Sequence, residues 1–283
     1  MRSKKKSFNF ALLFTFILVL CPYSISAQST EKNEKDELLG SYGACLYSDG
    51  IFTGCRIDVP FAMHSIMKFP QAIFVAECLK EKSLELHDSI TVKRNQLVEN
   101  TWSPMLSMFE EEKNFSYAEL MQLSLTQSDN NACDILFNQF GGPKKLEEYL
   151  HKHGFTDIHI KWTERDMKLA PLRSADNNCT PKEMAQLFEW FYRKKDQDKY
   201  LNFVWNTMVN CKTGKERISS IIPEGDVFVH KTGTGFPSTD KRQDRNDAGI
   251  IIRQDGTHQI IVVFAPKSIK EDDVAAIGKK YIK

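Results

Sequence analysis

The chain has 283 residues, of which 41% are hydrophobic and 27% are charged. That composition is typical of a globular protein and excludes collagen-like repeats and intrinsically disordered chains. The formal net charge is +1, so the chain lacks the excess of basic residues that a nucleic-acid binder usually carries. A small molecule is the expected partner.

The first 27 residues have the three parts of a secretory signal peptide. Lysines occupy positions 4–6, an apolar run follows over 8–20, and small residues lead to a cleavage site after Ala27. The apolar run is too short for a stable membrane span of about 20 residues. We therefore predict an exported, periplasmic protein with no membrane contact after signal removal, in which residues 28–283 form one domain.

Cys21 supports a second interpretation, in which it becomes a lipid-modified N-terminus. Leu20 before it is larger than the small residue that such processing prefers, so removal of 1–27 is favoured. Cys45 and Cys55 flank a turn signal almost symmetrically, so one disulfide could cross a hairpin, and buried free thiols are the alternative. Six cysteines remain after removal of 1–27, and none of them has the spacing of a zinc site: 45, 55, 78, 133, 179 and 211.

The predicted elements begin with a polar helix over 31–39, followed by a β-hairpin. The two hairpin strands, 42–47 and 51–57, are joined by Asp49-Gly50, a dipeptide that favours the tight turns of hairpins. From about 65 to 192 the apolar spacing is mostly helical.

Strands return towards the C-terminus, and a helix closes the chain. The strands span 227–231, 248–253 and 259–264, and the helix spans 272–281. Asp255-Gly256 joins the last two strands in a second predicted hairpin. This order predicts an α+β fold: an antiparallel sheet of about five strands built from both termini, flanked by helices, with an inserted all-α subdomain. The sheet subdomain would take in about 28–63 and 205–283, and the helical subdomain about 64–204. A cleft is expected between them.

A candidate nucleophile opens the first long helical pattern, where Ser65 and Lys68 are three residues apart. Residues at i and i+3 share a helix face, so the lysine amine can reach the serine hydroxyl. A serine alcohol attacks poorly until a neighbouring base takes its proton, and a lysine with a lowered pKa can be that base. The motif alone is weak, because Ser-x-x-Lys also begins at Ser3, Ser29 and Ser238.

Two further motifs follow along the chain. Ser128-Asp129-Asn130 lies on a helical segment, although such residues also cap helices and make turns. Lys231-Thr232-Gly233 ends a predicted strand, whereas a second copy, Lys212-Thr213-Gly214, follows no β pattern. Ser-x-x-Lys, Ser-Asp-Asn and Lys-Thr-Gly in this order and spacing form the signature of serine penicillin-recognising enzymes.

With the three motifs together, the chain resembles the class A serine β-lactamases over nearly all of the sequence after the signal. It is most similar to their extended-spectrum PER, VEB and CfxA-type branch, and this closer resemblance rests on 101–104, 127–143 and 230–234. The resemblance implies a monomeric enzyme that hydrolyses the β-lactam amide of penicillins and cephalosporins through a serine acyl-enzyme. It also implies antibiotic resistance, no cofactor and no metal.

A glutamate that activates the deacylating water separates class A β-lactamases from penicillin-binding proteins. The resemblance identifies Glu164, which lies in a Glu-x-x-Met stretch that matches the family's loop. Two positions depart from the family: Lys168 replaces the usual Asn or His, and Trp162 replaces the usual arginine. Lys168 could crowd the water or shift the pKa of the carboxylate. The alternative function is therefore a D,D-peptidase or penicillin-binding protein with slow deacylation, and a non-catalytic β-lactam sensor is a further alternative.

The resemblance implies roles at the other matching positions. Ser65 would attack the β-lactam carbonyl, and Lys68, or Glu164 acting through water, would take its proton. Ser128 would relay a proton to the departing nitrogen beside the positive charge of Lys231. The substrate would contact Trp102, Asn130, Arg217, Thr232, Gly233 and Thr234.

Overall fold

The computed structural model describes residues 41–268 and 270–282. The predicted signal peptide over 1–27, the alternative lipid site at Cys21 and the predicted helix over 31–39 lie outside the described residues. Among the residues that are described, no helix is long and apolar enough to cross a membrane.

Ten strands and eight α-helices organise the described residues. The strands are β1 (Gly43–Ser48), β2 (Ile51–Cys55), β3 (Phe61–Ala62), β4 (Ser89–Lys93), β5 (Glu112–Ser116), β6 (Ile158–His159), β7 (Asn178–Cys179), β8 (Val227–Thr234), β9 (Gln243–Ile252) and β10 (His258–Ser268). The α-helices are α1 (Lys68–Glu81), α2 (Tyr117–Thr126), α3 (Asn130–Phe140), α4 (Gly142–Lys152), α5 (Glu164–Leu169), α6 (Pro181–Lys194), α7 (Lys199–Val209) and α8 (Asp272–Gly278). The 3₁₀ helices are His64–Met67, Arg94–Gln96, Pro104–Ser107, Pro171–Asp176 and Ile218–Ile221.

Five strands from the two ends of the described chain form one antiparallel sheet, in the order β2-β1-β10-β9-β8. The β1–β2 hairpin turns at Asp49 and Gly50, whose φ values of 53° and 83° are the left-handed values that a two-residue turn requires. The predicted hairpin between β9 and β10 is also present. The predicted α+β fold, with its sheet built from both ends, is confirmed.

Of the two alternatives for Cys45 and Cys55, the structure has the free thiols and not the disulfide across the hairpin. All six described cysteines are free thiols, and the strand register pairs Cys45 with Gly54 and Cys55 with Ala44. Because neighbouring residues on a strand point to opposite faces, the two thiols project to opposite sides of the sheet. Cys45 packs in the main core, whereas Cys55 packs against a smaller apolar cluster on the other face.

The sheet is covered by helices on both faces. On one face α6 packs against β1, β9 and β10, and on the other α8 packs against β10. Strand β10 accordingly has buried apolar side chains at successive positions from Ile260 to Ala265. A strand buried on both faces loses the alternation of apolar and polar residues, which is why β10 reads as a continuous apolar run.

Helix α1 lies at the centre of the helical part of the chain. Its residues are buried without interruption from Lys68 to Ala76, and it packs against α2, α3, α4 and α7. Phe69 stacks on Phe188 of α6 with ring centroids 4.0 Å apart, and burying one such side chain contributes about 2–3 kcal/mol. The start of α1 is therefore held firmly by the core.

The helical region predicted for 65–192 also contains four described strands that the sequence pattern did not indicate. Strands β4 and β5 pair with each other, and β7 pairs with β6 and with β3. Strands β6 and β7 have two residues each. A strand of two residues leaves no period-two pattern to detect.

Candidate active site

Ser65 and Lys68 lie where a 3₁₀ turn runs into α1. Ser65 belongs to the turn His64–Met67, and Lys68 is the first residue of the helix. Lys68 Nζ donates a 2.8 Å hydrogen bond to Ser65 Oγ, so the contact expected from the i to i+3 spacing is present. Ser65 Oγ is also 3.3 Å from Glu164 Oε1. The hydroxyl is therefore within reach of two groups that can take its proton.

The Lys68 ammonium joins the separate sequence motifs in one cluster. Its Nζ lies 2.7 Å from Glu164 Oε1, 2.7 Å from Asn130 Oδ1 and 3.0 Å from Ser128 O. The lysine is fully buried, and Glu164 is 8% exposed. A buried ammonium is costly unless a charge pairs with it, and the carboxylate supplies that charge.

Ser128 has a left-handed backbone conformation, with a φ of 59°. Such a conformation costs a non-glycine residue about 1–3 kcal/mol and is concentrated at functional sites. Lys231 Nζ donates a 3.0 Å hydrogen bond to Ser128 Oγ. Burial, and then repulsion from the Lys68 charge, lower the pKa of Lys231 to about 7. The amine can therefore exchange protons with this hydroxyl near neutral pH.

Asp129 holds the turn that carries the Ser-Asp-Asn motif. It caps α3 by accepting the Ala132 N–H at 2.9 Å, and it accepts the Ser103 hydroxyl and the Met105 N–H, both at 2.7 Å. These bonds tie the start of α3 to the loop that carries Trp102. The middle residue of the motif is therefore structural, which agrees with the capping role open to aspartate.

Glu164 begins helix α5, and a half-buried aspartate holds the first turn of that helix. Asp134 of α3 accepts the backbone N–H of Glu164 at Oδ1 and that of Arg165 at Oδ2, both at 2.8 Å. Burial, and then repulsion from the Glu164 charge, raise the pKa of Asp134 to about 7. Asp134 was not among the predicted site residues, and its one signal in the sequence was a carboxylate within the apolar spacing of α3.

The loop that carries Glu164 is closed at its base by hydrogen bonds. Trp162 Nε1 donates to Asp176 Oδ2 at 2.8 Å, and Asn177 Oδ1 accepts the backbone N–H groups of Lys161 and Trp162 at 2.8 and 3.0 Å. At the position where the family usually has arginine, the tryptophan thus still supplies a donor to an acidic side chain.

Arg217 reaches the end of β8 and is 3% exposed. Its Nη2 donates to Thr234 Oγ1 at 2.6 Å, and its Nη1 donates to Gly233 O at 2.9 Å. Its Nε is 2.5 Å from Glu271 Oε2. The guanidinium is thus fixed in orientation beside the Lys-Thr-Gly strand, and a rigid fork of donors suits recognition of a carboxylate.

Gly233 allows β8 to approach the turn that carries Ser65. A Cβ atom at Gly233 would lie 2.4 Å from Met63 O and 3.3 Å from Ile66 N. No side chain fits in that space, so the third residue of Lys-Thr-Gly has to be glycine for the strand and the turn to meet.

These elements surround an open cleft with a volume of about 740 Å³, and its floor and walls include Ser65, Ser128, Asn130, Glu164, Thr232 and Thr234. Trp102 is 65% exposed at the rim, and its Nε1 donates to Gln127 O at 2.8 Å. Lys168 is exposed and also borders the cleft. The structure thus brings together all the residues that the sequence analysis assigned to the site, with Lys231 buried beneath Ser128.

Within the described chain, one group of side chains could hold a metal ion: Glu147, His151 and His159, whose ligand atoms lie within 4.8 Å of one another. Lys161 Nζ already contacts both Glu147 carboxylate oxygens at 2.7 Å. None of these residues borders the cleft.

Comparisons with known proteins agree with this geometry. The model of a family described as the β-lactamase enzyme family matches residues 40–280. A β-lactamase of Bacteroides uniformis is 30% identical over 282 residues, which cover 95% of this chain and 94% of that protein. The extended-spectrum β-lactamase PER-1 of Pseudomonas aeruginosa is 31% identical over 210 residues, which cover 74% of this chain and 68% of that protein.

Solved structures give the same result. The TLA-3 extended-spectrum β-lactamase is 30% identical, with a TM-score of 0.81 over 89% of this chain and 96% of that chain. A class A β-lactamase of Bacteroides cellulosilyticus is 26% identical, with a TM-score of 0.80 over 89% of this chain and 95% of that chain.

Proposed function

Since the chain belongs to the β-lactamase enzyme family, we propose that Ser65 is the nucleophile of its reaction. The chain is a class A serine β-lactamase, which hydrolyses the β-lactam amide bond of penicillins and cephalosporins through a serine acyl-enzyme and so confers antibiotic resistance. The observation that carries the assignment of residues is the buried Lys68 ammonium, which contacts Ser65 and Glu164 at 2.8 and 2.7 Å.

In acylation, Ser65 Oγ attacks the β-lactam carbonyl carbon, and its proton passes through a water to the Glu164 carboxylate, or to Lys68 after that lysine has given a proton to Glu164 across their 2.7 Å contact and become a neutral amine. The 2.8 Å and 3.3 Å contacts of the hydroxyl support both routes. The backbone N–H groups of Ser65 and Thr234 hold the developing oxyanion. Such donors typically contribute about 3–4 kcal/mol each to the transition state.

Opening of the ring requires a proton on the departing nitrogen, and Ser128 supplies it. The hydroxyl then regains a proton from Lys231, a transfer that the 3.0 Å contact and the lowered pKa of that lysine support. A group with a pKa near the working pH is the most effective proton donor. Lys231 also supplies positive charge to the substrate carboxylate.

The remaining cleft residues bind and orient the substrate. Thr232, Thr234 and Arg217 take the substrate carboxylate, and Gly233 lets β8 lie close to the turn that carries Ser65. Asn130 donates a side-chain N–H to the acyl side chain of the substrate, and that side chain packs against the exposed Trp102. Orientation by several fixed contacts lowers the entropic part of the barrier.

Glu164 removes the proton from the water that hydrolyses the acyl-enzyme. Its carboxylate is held beside Ser65 by the Lys68 ion pair and by the anchored start of α5. General-base catalysis of this kind typically contributes about 10²–10⁴ in rate.

Mass spectrometry of intact protein tests the nucleophile. After incubation with benzylpenicillin, Ser65→Ala should carry no acyl adduct. Ser238→Ala, which alters a Ser-x-x-Lys sequence outside the cleft, should react as the parent does. An adduct on Ser65→Ala, or one mapped to a different serine in the parent, contradicts the assignment.

The mature enzyme would be a periplasmic monomer released by cleavage after Ala27. It would have the sheet subdomain over about 28–63 and 205–283 and the helical subdomain over about 64–204. Mass measurement of protein from the periplasmic fraction tests the cleavage site, and light scattering tests the oligomeric state. A mature N-terminus at Cys21 would favour the lipid-modified alternative.

A further inference from the structure

Behind the Lys-Thr-Gly strand lies a cluster of titratable side chains that the proposed mechanism does not use. His230 Nδ1 is 2.7 Å from Asp247 Oδ1, and both residues are buried. With Nδ1–H donated to the aspartate, Nε2 lies 3.3 Å from Ser219 Oγ, and the ring also interacts with the Cys211 thiol. An imidazole that a carboxylate holds in place and that acts on a nearby thiol is the kind of surrounding that activates cysteine nucleophiles.

The charges of the cluster favour a thiolate at Cys211. Burial lowers the pKa of His230, but the Asp247 and Cys211 charges outweigh it and raise that pKa well above its usual range, so the imidazole is protonated. Burial would raise the pKa of the Cys211 thiol, but the His230 charge outweighs it, with help from Lys231, and lowers the pKa to about 7.

Cys211 differs in this respect from most other cysteines of the chain. Four of the described thiols are buried, and burial raises the pKa of each: Cys45, Cys78, Cys133 and Cys179. Cys211 and Cys55 are half-buried. Cys55 ends the edge strand β2 and packs against the smaller apolar cluster, at the edge of the sheet opposite to β8.

A short path of contacts joins Cys211 to the substrate cleft. Cys211 Sγ lies 3.4 Å from Thr213 Oγ1, which in turn is 2.6 Å from Thr232 Oγ1. The next residue, Gly214, passes so close that a Cβ there would lie 2.5 Å from Thr232 Cγ2. Thr213, Gly214 and Arg217 all border the cleft. A group added to Cys211 therefore presses on the segment that positions Thr232 and Arg217.

We propose that Cys211 is a site of covalent modification by small disulfides and carbon electrophiles, and that the adduct lowers β-lactam turnover. With a disulfide, the Cys211 thiolate attacks one sulfur and forms a new S–S bond. The original S–S bond breaks, and the other half leaves as a thiolate that takes a proton from water. The site lies outside the reacting centre, and its labelling can be measured without β-lactam turnover.

The expected rate advantage follows from the thiolate fraction. At pH 7 a thiol with a pKa of about 7 is about half ionised, whereas an ordinary thiol with a pKa of about 8.5 is about 3% ionised. Thiolate reactivity falls with pKa, with a slope of about 0.4–0.5, which removes about fivefold of this roughly 15-fold advantage. Cys211 should therefore react about threefold faster than an ordinary thiol of equal access.

Iodoacetamide labelling at pH 7, followed by peptide mass spectrometry, measures the relative rates within one native protein. We expect Cys211 to be labelled about threefold faster than Cys55, and the four buried cysteines to remain unlabelled until the protein is denatured. Labelling of Cys55 at the same rate or faster overturns the proposal.

Hydroxyethyl disulfide tests the effect on turnover. The mixed disulfide at Cys211 should lower kcat/KM for a chromogenic cephalosporin by about tenfold, since a displacement of about 1 Å can cost up to about 10²-fold. Dithiothreitol should restore the rate. Cys211→Ser should keep the parent rate and resist the reagent, whereas Cys55→Ser should remain sensitive. Full modification of Cys211 without loss of turnover, or equal loss in Cys211→Ser, overturns the proposed effect.

Discussion

Replacement of Asp134 by asparagine should loosen the hold on the loop that carries Glu164. The parent carboxylate accepts two backbone N–H groups, those of Glu164 and Arg165, at 2.8 Å each. An asparagine keeps one acceptor oxygen and turns an NH₂ group towards the other N–H. A buried donor without an acceptor costs about 1–3 kcal/mol, so the variant should be less stable than the parent by this amount when Asp134 is protonated.

The difference in stability should depend on pH, because the pKa of Asp134 is raised in the folded protein to about 7. An unfolded aspartate has a pKa of about 3.9, so between these values the folded state binds more protons than the unfolded state. Stability from this group is therefore fully present below about pH 4 and is lost as the pH rises through 7. From pH 5 to pH 8 the loss amounts to about 3 kcal/mol, at about 1.4 kcal/mol for each pKa unit.

Urea denaturation of the parent and Asp134→Asn at pH 5, 6, 7 and 8 measures this effect. The parent should be about 1–3 kcal/mol more stable than the variant at pH 5, and by pH 8 this difference should fall by about 3 kcal/mol, to about zero or into the variant's favour, because asparagine does not ionise. Asp49→Asn is the matched control, since it changes an exposed aspartate at a turn position where asparagine also fits. A parent-to-Asp134→Asn difference that stays constant with pH refutes the assigned ionisation.

The remaining predictions concern the catalytic cleft. Glu164→Gln should still form the acyl-enzyme but hydrolyse it very slowly, because an amide cannot take the proton of the water. Stopped-flow kinetics with intact-mass detection separates the two steps, and hydrolysis at the parent rate would contradict the role of Glu164 as general base. Lys168→Asn should preserve or raise steady-state turnover if the lysine only crowds the water, and a fall would mean that Lys168 assists deacylation. Lys231→Ala should slow acylation about 10²-fold or more, whereas Lys212→Ala, in the second Lys-Thr-Gly, should leave the rate unchanged. Trp162→Phe removes the hydrogen bond to Asp176, so the free energy of unfolding should fall by about 1 kcal/mol or less and hydrolysis of the acyl-enzyme should slow. An unchanged rate of hydrolysis would show that this bond does not hold the loop that carries Glu164.

The sequence predicted turns and motifs correctly where a few neighbouring residues determine them. Asp49-Gly50 and the Asp255-Gly256 turn both mark hairpins, because glycine supplies a positive φ that few other residues adopt. The three motifs were identified because their order along the chain is itself distinctive, although each alone is common. In the structure, residues of the first two motifs meet around Lys68, and Lys231 of the third contacts Ser128.

The sequence did not predict features that depend on how strands pair or on contacts between distant parts of the chain. The spacing of Cys45 and Cys55 about a turn suggested a pair, but the regular register of the hairpin pairs Cys45 with Gly54 and leaves the two thiols on opposite faces. Asp134 belongs to one helix and holds the start of another, 30 positions further along the chain. Nothing in the local pattern of either helix indicates that contact.

The alternation of side chains along β8 explains how one strand serves both the cleft and the Cys211 cluster. Lys231 points to one face and reaches Ser128, while His230, next to it, points to the other and stacks on Phe228 with ring centroids 4.4 Å apart. Gly249 stands opposite His230 on β9, and a Cβ there would lie 2.5 Å from His230 Cβ. The missing side chain thus makes room for the imidazole. Because the two functional side chains share one backbone, a displacement of the strand on the thiol side also moves the lysine on the cleft side.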